Sequence, residues 1–88
     1  MGVLYNDIEF SKSAFKHNID EADIRRALAD WIYEDQIDLA EHEDKHLLLG
    51  FDTKGRVLEV LYNIIDEHTI NVFHAKKCRK VWRSLAGL

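Results

Sequence analysis

The sequence predicts an α+β fold: a small antiparallel sheet, built on a three-stranded meander with room for edge strands, with helices on one face. Three observations lead there. Two tight turns, Asp52-Thr53-Lys54-Gly55 and Asp66-Glu67-His68, separate three apolar stretches of strand length. Segments 21–30 and 75–85 repeat apolar residues at three- and four-residue spacing, as helices do. At 88 residues, 47% hydrophobic and 32% charged, the chain makes one domain, 1–88, with a modest core.

Ile8-Glu9-Phe10 reads as an edge strand or an extended lead-in. Ser11 suits the cap of a brief helix, Lys12 to His17, which Asn18 stops in a left-handed conformation. Asp20 is the natural N-cap of the next helix. Ile19 and Ile24 have hydrophobic-staple spacing, and Asp23 stands where a capping-box acid would. Ile24, Ala27, Leu28 and Trp31 line one face of that helix. Trp31-Ile32-Tyr33 leads out as a strand into an acidic tract, Glu34 to Asp44, whose scant periodicity predicts a loop over most of its length.

His46 to Phe51, Val57 to Ile65 and Thr69 to His74 are the meander strands, with Gly55 suited to positive φ in the first turn. Leu58, Val60, Tyr62 and Ile64 face one way, and Val57, Glu59, Leu61 and Asn63 the other. Both sets are largely apolar, so the sheet is covered on both sides or offers an interface. In the last strand Ile70, Val72 and His74 share a face. A basic helix follows, with Ala75, Cys78, Val81, Trp82 and Leu85 inward and Lys76, Lys77, Arg79, Lys80 and Arg83 around the rest.

The lone Cys78 excludes an internal disulfide and fits a reducing compartment. No apolar run reaches membrane-span length, and MGVLYND reads as neither a signal peptide nor a myristoylation signal, so a cytoplasmic protein is expected. The net charge of −4 is unevenly spread: residues 1–44 carry a net −8 and residues 45–88 a net +4. The basic half suits phosphate or an acidic protein partner, or is a solvated face. His42-Glu43-Asp44-Lys45-His46 matches H-E-x-x-H, which binds zinc only from a buried helix with a third ligand. Set in an acidic tract that runs into a strand, it predicts no metal site beyond adventitious binding by His42 and His46.

Lys16-His17-Asn18-Ile19 before a capped helix, Gly50 ending a strand, Gly55-Arg56-Val57-Leu58 opening the next, and Phe73-His74-Ala75 before a basic segment resemble, in that order, BrnT-type toxins of the RelE-like superfamily. The resemblance spans about residues 8–83. It implies an RNA-cleaving toxin of a type II toxin–antitoxin system that inhibits translation without metal or other cofactor. It also implies a cognate DNA-binding antitoxin, in a hetero-oligomer or beside a homo-oligomer. The chain departs from the family in having Asn18 where Gly is usual, and His74-Ala75-Lys76 where Ser-Ala-Arg is common.

Metal-free RNA cleavage needs a base near the 2′-hydroxyl, cations around the phosphate and an acid for the 5′-oxygen. Histidine is the side-chain type suited to proton transfer near neutral pH, so His74 is the candidate for that role, and Lys76 and Arg79 complete the candidate catalytic set. Lys77, Lys80, Arg83 and Arg56 are the candidate RNA- and phosphate-binding residues. In the competing reading His74 is a hydrogen-bonded residue at a sheet end and the cations are solvated. Lys16-His17, part of the motif that carries the resemblance, is a second candidate, or its histidine is a partner for helix-end carbonyls. Glu59, alone in an apolar strand, is exposed at an edge or sits beside a cation such as Arg79. The alternative to an enzyme is a non-catalytic binding module of the same fold.

Overall fold

The computed structural model describes residues 6–37 and 45–88. The elements are β1 (Asp7–Phe10), a 3-10 turn (Lys12–Phe15), α1 (Glu21–Ala29), β2 (Trp31–Gln36), β3 (Lys45–Phe51), β4 (Val57–Asp66), β5 (Thr69–Lys77), α2 (Lys80–Arg83) and a closing 3-10 turn (Ser84–Ala86). Among the described residues the strands form one five-stranded sheet in the order β1-β5-β4-β3-β2. The fold class is therefore α+β, as expected. The sheet is mixed rather than purely antiparallel, because β1 pairs parallel to β5 while β2 to β5 form an antiparallel meander. No described helix is long and apolar enough to cross a membrane.

The helix α1 begins where the sequence places it. Asp20 accepts a 2.9 Å hydrogen bond from the Asp23 amide, satisfying a donor that a helix start leaves free. Ile24, Ala27 and Leu28 pack against Leu48, Leu58, Val60, Tyr62, Ile70 and Val72. Burying Ile24 and Leu28 contributes roughly 2–3 kcal/mol each. Asp23 does not close a capping box. It is buried and its carboxylate faces the β3–β4 turn, accepting from the Thr53 amide and hydroxyl and from Lys54 Nζ at 2.8 Å. The Lys54 ammonium, then Thr53, hold the Asp23 carboxyl well below the usual carboxylate range. A tertiary partner has displaced a local one.

Four further expectations change. The predicted helix from Ala75 is strand: β5 continues to Lys77, with Ala75, Lys76 and Lys77 opposite Val60, Glu59 and Leu58. Leaving the strand at Ala75 would strip pairing from the first, buried residues of β4, a cost that local helical spacing does not offset. The helices are not on one face. α1 covers one side, while Trp82 and Ala86, with Cys78, pack on the other against Leu47, Leu49, Val57 and Leu61. Glu34 to Gln36 belong to β2 rather than to a loop, and residues 38–44 lie outside the described residues. The first short helix ends at Phe15, and Ser11 makes no side-chain cap; its hydroxyl accepts from Asn71 Nδ2 at 2.9 Å.

One irregularity positions the site. Leu61 pairs with His74 but Tyr62 pairs with Val72, so Phe73 is an extra residue, a β-bulge. Its carbonyl accepts from Ser13 Oγ at 2.6 Å. Beyond the bulge the alternation reverses, and Ala75 takes the core-facing side that period two would give to His74. His74 and Lys76 thereby turn to the face that carries Glu59.

Candidate functional site

The site is built around a buried carboxylate. Glu59 lies mid-sheet on β4, with no exposed surface, between Leu49 of β3 and Lys76 of β5. It accepts four hydrogen bonds: from His74 Nε2 at 2.9 Å, from Arg79 Nη2 at 2.8 Å, and from the Arg79 amide and Nε at 3.0 Å each. Both oxygens are thus fully used. Burial pushes the Glu59 carboxyl up, but the bonds from His74 and Arg79 outweigh it and bring it down to about 2. An ionised carboxylate only accepts, so the shared hydrogen belongs to His74 Nε2, and Nδ1 is its remaining nitrogen. Glu59 is neither exposed nor at an edge; it meets Arg79.

His17 completes the cluster from another part of the chain. The turn after Phe15 reverses at Asn18, whose φ of 63° is the left-handed conformation expected of it. The His17 ring then stands edge to face with His74, centroids 5.3 Å apart. Burial, Lys76, His74 and Lys16 all push the His17 imidazole below its ordinary value, against a smaller pull upward from Glu59. These influences favour the neutral imidazole, the form that can accept a proton. Its side chain faces His74 rather than serving a helix end.

Beside this pair opens a cleft of about 510 Å³, lined by Lys16, His17, Asn18, Ile19, Arg56, Lys76 and Lys77. Of the sequence-predicted residues, Lys76, Lys77, Arg56 and His17 meet there. His74, Glu59 and Arg79 sit next to it without lining it. Lys80 and Arg83 lie on α2, away from the cleft. Arg56 is already engaged, with Nε 2.6 Å from Asp52 and Nη2 3.5 Å from Asp23, so it offers a shared charge. Arg79 is bound by the three donors it gives to Glu59. Lys16, Lys76 and Lys77 are the cations best placed to meet an anion. Lys16, which the sequence singles out together with His17 though not as a phosphate-binding residue, lines the cleft because the turn at Asn18 brings the pair across to β5.

Only the last two residues of the H-E-x-x-H segment are described. Lys45 and His46 are strand, with His46 Nδ1 2.8 Å from Glu34 and its ring stacked on Tyr62, while His42, Glu43 and Asp44 lie outside the described residues. No protein-family model, curated protein or solved structure matches the chain.

Proposed function

We propose that this chain is a toxin-like protein of the BrnT/RelE-like type: a metal-independent endoribonuclease that inhibits translation and is restrained by a DNA-binding antitoxin. The observation that carries the reading is the pair of imidazoles 5.3 Å apart beside a cleft bearing Lys16, Lys76 and Lys77. Proton-transfer groups and phosphate-binding cations thus share one corner. These are the parts that intramolecular attack of a 2′-hydroxyl on its phosphodiester needs. The order of short motifs across residues 8–83 supports the family assignment, and the cytoplasm is the compartment that goes with it.

The test is incubation with total RNA in excess EDTA, with fragment ends analysed. The wild-type chain is expected to yield 2′,3′-cyclic phosphate ends, and a His17→Ala/His74→Ala double variant to cleave at least about 100-fold more slowly. Intact RNA from the wild-type chain sinks the enzyme reading for naked RNA.

One observation favours a second reading, a non-catalytic binding module of the same fold. Arg79, a member of the sequence-derived catalytic set, is committed to Glu59 and so acts as a structural tie. A module of this kind loses partner affinity chiefly with Lys76→Ala and is indifferent to the histidines.

A further inference from the structure

We propose that His17 is the general base of this site and that His74 is a positioning residue behind it. The assignment rests on the ribonuclease reading and divides the imidazole pair that the reading leaves undivided.

Three observations separate the two rings. The first is access. His17 lines the cleft, together with Lys16 and Lys76, whereas His74 does not. The second is commitment. His74 Nε2 is donated to a carboxylate that lies fully buried and is itself saturated by Arg79, so its ring is held in place. Among the described residues no comparable tie holds His17, whose ring stands at 70° to the already fixed His74 ring. The third is charge. Burial first, then Lys76, His74 and Lys16, which face His17, disfavour its protonation, while Glu59 acts on it only weakly in the other direction. A base must begin neutral, and burial beside the Lys16 and Lys76 ammonium groups favours that form. The same cations attract the phosphate that brings the 2′-hydroxyl to it.

The step balances as follows. His17 takes the proton of the 2′-hydroxyl while the 2′-oxygen forms a bond to phosphorus. The bond from phosphorus to the 5′-oxygen breaks with its electron pair on that oxygen, which takes a proton from the Lys76 ammonium. The products are a 2′,3′-cyclic phosphate and a 5′-hydroxyl; His17 has gained a proton, Lys76 has lost one, and exchange with water restores both. His74 enters none of these transfers. Its work is to hold the His17 ring, and Glu59, reached from His74 at 2.9 Å, holds His74.

The test uses a short single-stranded oligoribonucleotide, with kcat and KM measured from pH 4.5 to 8.5 for the full chain and single variants. His17→Ala is expected to lower kcat by about 10²–10⁴-fold and to abolish the acid limb of the pH profile. Added imidazole should restore part of its rate. His74→Ala should keep the acid limb, moved to higher pH because a group that depresses His17 is gone, with a kcat loss nearer tenfold and no rescue by imidazole. A His17→Ala variant as active as wild type, or imidazole rescue of His74→Ala alone, overturns the assignment while leaving the ribonuclease reading intact. A wild-type chain inert on the oligoribonucleotide overturns both. Should His17→Ala fail to fold, NMR titration of wild-type His17 decides instead. The ring is expected to titrate below its ordinary value and to move up in Lys76→Ala; titration at or above that value overturns the assignment.

Discussion

Replacing Glu59 with alanine is expected to lower the unfolding free energy by about 3 kcal/mol and to loosen the chain beyond Lys77. The carboxylate is fully buried and receives all four of its hydrogen bonds from His74 and Arg79. Its removal strands the His74 Nε2–H in a mostly buried position and frees the Arg79 amide. Breaking a buried pair by deleting one partner costs about 3–5 kcal/mol. The lower end applies because the Arg79 side chain is half exposed and regains water. The tie also joins two elements, since Arg79 is the residue that starts α2. Trp82 and Ala86 should therefore lose part of their hold on the outer sheet face together with it.

The same residue makes stability depend on acid. A carboxyl held at about 2 in the folded chain, against 4.5 ordinarily, contributes about 3 kcal/mol. Because the folded value is the lower one, the contribution is complete above about pH 4.5 and is lost as pH falls toward 2. Urea denaturation at pH 7 and at pH 3 should show wild type losing more stability than Glu59→Ala between the two. Asp23 and Asp52, also held low by their partners, leave a common acid sensitivity in both chains. Equal losses in the two chains would remove Glu59 from this role.

Gly50→Ala is expected to be at least as damaging, for a purely steric reason. A Cβ at Gly50 would stand 2.0 Å from the Ala27 carbonyl oxygen and 2.8 Å from its carbon. Both atoms are helix backbone, so no rotamer change relieves the overlap; α1 must lift or β3 must bend. Overpacking a core costs about 1–3 kcal/mol when side chains yield, and backbone collision belongs at or above that range. Against a total stability of about 5–10 kcal/mol for a domain this size, the midpoint of thermal unfolding should fall by about 15 °C or more. Gly55→Ala is the control: φ is 78° but nothing lies within 4 Å, so only the left-handed conformation is penalised, at about 1 kcal/mol. A Gly50→Ala midpoint within a few degrees of wild type would mean that α1 does not rest on β3 at this point.

Much of the architecture was legible because it is local. Asp20 caps α1 by its own side chain, Gly55 and Asn18 adopt the positive φ their types suggest, and alternation along β4 gives both of its faces correctly. These features depend on residues a few positions apart. What failed depended on distant partners. Asp23 leaves its capping box for Thr53 and Lys54, some thirty residues on, because a buried carboxylate gains more from a cation and two donors than from one amide. The helical spacing from Ala75 yields to β4, whose backbone needs a neighbour along its whole length.

The candidate site divides in the same way. Residue types alone pointed to His74, Lys76 and Arg79, and to Glu59 as the carboxylate for Arg79. No spacing in the chain announces that Phe73 is an extra residue, so period two put His74 on the core side. The bulge turns it to Glu59, and the reversal at Asn18 sets Lys16 and His17 against β5 across more than fifty residues. The sequence by itself determined the fold class, the helix cap, the turns and the stock of titratable groups, since each follows from short-range preference and pattern. Tertiary structure alone decided which histidine faces the cleft and which cation stays free, because those outcomes are set by strand register and by competition for one buried carboxylate.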